Sequence, residues 1–363
     1  MKKIILGTAA ALALALPLSA QEEEAPTSAP APSPNEIVNS ADAEEWVVIA
    51  PEDMVVMTLA PDRDGNERKV VIQLMPAPFS QGWVENIRSL ARAQWYDGIS
   101  VNRVQDNYVV QWGDPGHDNP ESGEVETKPL PEGLNVMSED DYVVREGDDG
   151  IHAIEQNLRA WIARQYAPND PPRPSSATPE QIRRAFLGDQ YAQIHGWYRG
   201  WPMAFDSGDG KGGNGEGTGW PIHCYGMVGV GRNYSPDTGS GAELYTVIGH
   251  APRHLDRNIA LVGRIISGME HLSSLPRGTG VLGFYTEEEA DLRTPIRSIR
   301  VASDLPADQQ PQFEYLSTEG GTFARYADAR ANRRDPFFIV PAGGADICNI
   351  PVPVRPFEYA DDE

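Results

Sequence analysis

Several sets of residues in this 363-residue chain have types and spacings that invite a chemical reading. Cys224 and Cys348 are its only cysteines. Two thiols without further ligands nearby cannot build a structural zinc site, so they form either one disulfide or two buried free thiols. His250 and His254 have the i,i+4 spacing of a helical metal pair, but Pro252 lies between them and no acidic third ligand stands in a matching motif. Asp62, Asp64 and Asn66 alternate as in a calcium loop, yet the glycine and the distal glutamate of such a loop are misplaced. Gly210-Lys211-Gly212 lacks the spacing and the Ser or Thr of a phosphate-cradling loop. No Ser-His-Asp or Cys-His constellation stands out. No metal or cofactor is expected.

Other residues must then be positioned by the regular elements. Val55–Leu59 and Lys69–Leu74 are β-rich runs around the turn formers Pro61 to Asn66 and read as a strand-turn-strand. Trp83, Ile87 and Leu90 recur at three- and four-residue spacing within Gly82–Ala93, an amphipathic helix with one face for a sheet. Two further strands are predicted over Ser100–Val104 and Tyr108–Trp112, the second stopped by Gly113-Asp114-Pro115. More follow at Gly226–Gly231, Glu243–Ile248, Ala260–Ile266 and Ile296–Ala302, with helices over Gly268–Leu275 and Thr322–Arg334 and an extended tail over Pro336–Pro356. Residues 116–220 read as one large surface insertion, helix-like at Ile151–Arg164 and Pro179–Phe186 and glycine-rich from Asp206 to Gly219. From these patterns alone the protein is mainly β with a few helices.

Lys2 and Lys3 precede an apolar run from Ile4 to Leu16, closed by Pro17-Leu18-Ser19-Ala20, which reads as a secretory signal peptide over residues 1–20. That run is too short to span a bilayer, and no other stretch is long and apolar enough, so no transmembrane segment is expected in the mature chain. Loss of Lys2 and Lys3 takes the formal charge from −23 to −25, which argues against nucleic acid as a partner. Residues 21–43, rich in Glu, Pro, Ala and Ser, read as a disordered linker. The expected location is the periplasm.

Certain blocks, in this order, resemble the cyclophilin-type peptidyl-prolyl isomerases. They are Ala77-Pro78 ahead of a helix with Glu85-Asn86, Trp95-Tyr96-Asp97-Gly98, Asn102-Arg103-Val104, and Gln111-Trp112-Gly113-Asp114-Pro115. The second half continues with Gly226–Arg232, Gly241–Ile248, His254-Leu255-Asp256, Leu261–Ile265 and Gly268-Met269-Glu270. The resemblance spans about Trp46–Leu305 and places a cyclophilin-like domain at 44–305, interrupted by the insertion 116–220 and followed by a C-terminal extension at 306–363. It implies a closed antiparallel eight-stranded β-barrel capped by two helices, with a shallow peptide groove outside.

The implied activity is cis/trans isomerisation of X-Pro bonds in proline-containing polypeptides or unfolded envelope proteins. Arg103 matches the family's catalytic arginine and Gln111 the glutamine that orients it. Tyr108, Val109, Tyr245 and Leu255 match the nonpolar pocket for the proline ring, and Gly231 a backbone rim for the preceding residue. Three groove positions depart from the usual pattern. Glu243 replaces a glutamine, His254 an aromatic residue, and Ile259 a His or Tyr. A carboxylate at Glu243 is expected to pair with Arg103 and blunt it. Glu243 and Ile259 motivate a rival reading, a catalytically weak or inactive peptide- or protein-binding module. A third is a structural envelope component tethered by the linker and insertion.

Overall fold

The computed structural model describes residues 30–118, 126–145, 191–206, 217–340 and 342–357. The expected signal peptide and the two helix-like stretches of the insertion lie outside them. Eight strands make the main sheet: β2 (Met54–Leu59), β3 (Arg68–Leu74), β4 (Ser100–Val104), β5 (Val109–Gly113), β10 (Met227–Val230), β11 (Glu243–Val247), β12 (Leu261–Ser267) and β13 (Ile296–Val301). Their order is β13-β2-β3-β12-β10-β11-β5-β4, with every pairing antiparallel. The two edges then meet. Ser100 bridges Pro295, the Val101 amide donates to the Thr294 carbonyl at 2.9 Å, and the Ile296 amide donates to Ile99 at 2.8 Å. The sheet is thereby a nearly closed barrel whose edge groups find partners in one another.

Alternation decides which residues fill it. Val110 and Trp112 of β5 join the barrel core, while Val109 and Gln111 between them face outward. β2 does not alternate in polarity, because both of its faces are covered. Val55, Met57 and Leu59 belong to the main core, and Met54 and Val56 pack outside with Ile49, Val71 and Tyr315. Tyr315 lies on β14 (Phe313–Leu316), which pairs with β1 (Trp46–Val48) on one side and β15 (Val354–Pro356) on the other. The C-terminal extension is therefore a second layer on the barrel wall.

The first helix among the described residues, α1 (Pro34–Asn39), falls inside the expected disordered linker, which is thus ordered from residue 30 onward. Ser33 and Glu36 form a capping box, Pro34 occupies the first turn, and Ile37 is buried as α1 packs on the C-terminal helix at Gly321–Ala331. The acidic, Pro-rich composition masked this short signature. Helix α2 (Gln81–Arg92) buries Trp83, Val84, Ile87, Leu90 and Ala91 and caps the barrel as expected. A one-turn helix after Pro115 (Pro115–Asp118) is α3, and the expected second capping helix is only a single turn, α4 (Glu270–Ser273). Ser273 and Ser274 are weak helix formers, and Pro276, three residues beyond the last helical position, has no amide hydrogen to donate, so the helix does not continue. The C-terminal helix, α5, follows β14 closely.

The described end of the insertion is not a surface decoration. β6 (Val144–Arg145), β7 (Ile194–Tyr198), β8 (Trp201–Asp206) and β9 (Thr218–Pro221) form a sheet in the order β6-β9-β8-β7. Trp197, Trp201, Trp220, Met203 and Phe205 are buried in the main core. β7 and β8 are joined by the two-residue turn Arg199-Gly200, with φ of 47° and 81°, a type I′ geometry. Arg264 of β12 holds this turn to the barrel. Its Nη1 donates to the Gly200 carbonyl at 2.6 Å, its Nε to Gln73 Oε1 at 2.8 Å, and its guanidinium lies 4.6 Å from the Trp201 ring. Burial pulls its pKa down to about 10, which still leaves it charged at neutral pH. An added Cβ at Gly200 would sit 2.5 Å from the Tyr315 ring. Gly200→Ala is expected to cost about 1–3 kcal/mol through the left-handed backbone and this overlap, read as a lowered urea midpoint.

Candidate active site

The groove lies on the outer face of β4, β5, β11 and β10. Arg103 pairs with Gln111, Gln111 with Tyr245, and Tyr245 with Gly229, so these four residues form one row across four strands on a common face. Within it the Arg103 Nη1 donates to Gln111 Oε1 at 2.9 Å, and Gln111 is 2 % exposed. Nε donates to the Leu282 carbonyl at 2.7 Å, and Nη2 donates to Gln105 Oε1. Three acceptors thus fix the plane of the guanidinium. Its Cζ lies 5.7 Å from the Tyr108 ring centroid and 5.4 Å from that of Phe284.

Beside the arginine, Val109, Tyr245 and Val247 form a separate apolar cluster, with Tyr108, Leu255 and Ile259 packed against it. All four residues matched to the proline pocket are here, together with Ile259. His254 is exposed and stacks on Tyr108, the rings 6.2 Å apart and 10° from parallel. Gly231 is buried at the end of β10, where its amide donates to the Glu243 carbonyl at 2.8 Å. Helix α2 and the turn after it position the approach to β11. Trp83 Nε1 donates to the carbonyls of Thr238 and Gly239, both at 3.1 Å, Asn86 Nδ2 to Ser240 at 3.0 Å, and Tyr96 Oη to Gly241 at 2.7 Å.

Glu243 is wholly buried and leans over Gly113, the residue it pairs with. Its Oε1 accepts from Asn102 Nδ2 at 2.9 Å, so an amide holds this end of the carboxylate. A bulge explains it. The pairing register shifts between Val101 and Arg103, which interrupts the alternation and brings Asn102 and Arg103 onto groove-face partners together, while Val101 stays in the core.

Sequence reasoning missed the arm that carries Leu282 and Phe284. Three glycines in Gly278–Gly283 were its signal. Gly283, at φ 83°, lets the loop approach Gln105, whose Cα would lie 2.8 Å from an added Cβ. Phe284 then bridges Arg103 as an extra strand-like contact.

The family model described as cyclophilin type peptidyl-prolyl cis-trans isomerase/CLD matches residues 65–301. The chain belongs to this family. The barrel is also similar to the crystal structure of the cyclophilin AquaCyp293 from Hirschia baltica, with a TM-score of 0.57 and 21% identity over 87% of this chain and 95% of that one. Two structures of a Cryptosporidium parvum cyclophilin type peptidyl-prolyl cis-trans isomerase, one in the presence of the dipeptide Ala-Pro, give TM-scores of 0.34 and 0.35 at 10% identity. They cover 68% of this chain and 98% and 97% of their own. No curated protein matches. This cyclophilin barrel is thus elaborated by the inserted sheet and by the C-terminal layer of β14 and β15.

Proposed function

We propose that the protein catalyses cis/trans isomerisation of X-Pro bonds in proline-containing polypeptides, with Arg103 as the electrophilic donor. Rotation about an X-Pro bond must break amide resonance, a barrier of about 20 kcal/mol, so a catalyst has to bind the twisted amide better than either planar form. Twisting localises a lone pair on the proline nitrogen. A guanidinium already fixed in orientation donates to that lone pair without reorganising, and a nonpolar surround strengthens the interaction.

The observation that carries the reading is the Arg103–Gln111 hydrogen bond beside the Val109, Tyr245 and Val247 cluster. The cluster takes the proline ring, burying it against Tyr108 and Leu255 and leaving the ring nitrogen toward the arginine. Gln111, itself held in the sheet, orients Arg103, and Gly231 lines the rim for the residue before proline.

The working compartment in this reading is the periplasm, where the protein assists the folding of exported chains. The apolar run behind Lys2 and Lys3 supports export, and so does a disulfide between Cys224 and Cys348. The deciding experiment is exchange NMR of several X-Pro peptides with the purified protein. Cross-peaks between cis and trans forms are expected to appear at catalytic protein concentrations. Binding without exchange by a folded protein would replace catalysis with peptide binding.

A further inference from the structure

Behind the groove a buried chain of polar side chains runs from Tyr245 into the barrel wall. Tyr245 Oη lies 3.0 Å from His223 Nε2, His223 Nδ1 lies 2.9 Å from Asp256 Oδ1, and Arg253 Nε donates to Asp256 Oδ2 at 2.6 Å. The His223 backbone amide also donates to Asp256 Oδ1, at 3.0 Å. The side chains of His223, Asp256 and Arg253 are only 1%, 4% and 3% exposed. The cationic end continues outward, with the Arg253 guanidinium 4.9 Å from the Tyr191 ring.

The direction of the hydrogen bonds follows from the groups at each end. Burial tends to raise the pKa of Asp256, but hydrogen bonding and charge from His223 and Arg253 outweigh it and hold the carboxyl below the usual aspartate value. Asp256 is therefore an acceptor, and His223 Nδ1 carries a hydrogen. Burial drives the Tyr245 phenol well above its ordinary pKa, so it keeps its proton. His223 Nε2 and the Tyr245 hydroxyl make the second hydrogen bond of the chain.

We infer that His223 and Asp256 are positioning residues for the proline pocket. Tyr245 is one wall of that pocket, and Leu255, next to Asp256 in the chain, is another. The carboxylate and imidazole tie the two walls together across segments 22 and 33 residues apart in sequence. An aromatic ring alone has no such fixed azimuth. Here Gly229 leaves the space the ring occupies, since an added Cβ would lie 2.3 Å from Tyr245 Oη, and the His223 ring stacks alongside at 6.5 Å and 10°. The pocket's shape is set before substrate arrives, which lowers the ordering cost of binding.

The inference rests on the assignment of Tyr245 and Leu255 to the proline pocket, so its test reads binding separately from turnover. The dissociation constant of an X-Pro peptide is measured by NMR titration for the wild type, Tyr245→Phe, His223→Leu and the double variant, with melting temperatures alongside. Each single substitution is expected to weaken peptide binding about tenfold, the scale of one lost buried hydrogen bond. The double variant is expected to bind no worse than His223→Leu, because both changes remove one link. If His223→Leu does not fold, Asp256→Asn replaces it in the same cycle. In kinetics the loss appears in KM more than in kcat, since the wall contacts ground and transition states alike. Lower melting temperatures with unchanged dissociation constants, or additive effects in the cycle, overturn the inference. Wild-type binding without turnover would sink the isomerase reading and leave this one standing, whereas no wild-type binding would sink both.

Discussion

Arg103→Ala is expected to lower kcat/KM on X-Pro peptides by about 10²–10³, the usual effect of deleting a preorganised donor to developing charge. The loss should fall mainly on kcat, because the lone pair that Arg103 meets exists only when the amide is twisted. Arg103→Lys is expected to recover little of it. An ammonium keeps the charge but cannot reach Gln111, Gln105 and the Leu282 carbonyl from one plane, and that plane is what aims the donor. Stability should fall too, by about 1–3 kcal/mol, since Gln111 is left as a buried side chain without its donor. Folding is therefore followed by urea titration while turnover is followed by NMR exchange. A folded Arg103→Ala variant with turnover within threefold of wild type would remove the arginine from the mechanism.

The same guanidinium shows how far local pattern reaches. Arg103 and Gln111 are eight residues apart on neighbouring strands of a hairpin, so alternation within a short stretch is enough to bring them together. The polar Gln111 set between Val110 and Trp112 is legible for that reason. Asn102 is different. Its contact with Glu243 depends on a bulge, and an extra residue in a strand leaves no mark in hydrophobic periodicity. The block order resembling cyclophilins predicted the barrel correctly, and periodicity alone predicted only mainly-β structure with a few helices.

Long-range partners account for what stayed hidden. Leu282 takes its hydrogen bond from a residue 179 positions earlier, and the Trp83 indole reaches across 155 and 156 residues to Thr238 and Gly239. His223 reads as an ordinary histidine until Asp256 and Tyr245 are folded around it. The inserted sheet was obscured by its surroundings. Its strands carry buried tryptophans but lie beside glycine- and proline-rich sequence, so composition averaged over the insertion suggests a loop.

Breaking the Cys224–Cys348 disulfide is expected to have the largest effect on stability. The bond links residues 124 positions apart, tying the connection between β9 and β10 to the tail that leads into β15. Cross-linking so long a loop removes unfolded-chain entropy equivalent to about 4–5 kcal/mol, and measured losses on removing such bonds run at about 2–4 kcal/mol. Other contacts also hold the tail, among them Ile347 and Ile350 in the core, the hydrogen bond from Tyr326 Oη to the Pro351 carbonyl at 2.7 Å and the Arg355–Glu314 ion pair. A single turn at Ile347–Asn349 and the short strand β15 anchor it, and Arg330 reaches it through the Asn349 carbonyl at 2.8 and 3.2 Å. Urea unfolding of the oxidised protein, the reduced protein and a Cys224→Ser/Cys348→Ser variant should therefore show a common loss of about 2–4 kcal/mol in the last two. Hydrogen exchange locates it. If the tail frays first, amides of β14 and β15 lose protection while those of β5 and β11 keep theirs, and peptide binding survives. If protection is lost in both layers together, the C-terminal extension and the barrel unfold as one unit, with the bond next to His223 supporting the groove as well as the tail. An unchanged urea midpoint after reduction would mean that the two sulfurs are not bonded in the folded protein, and would withdraw one of the two supports for export.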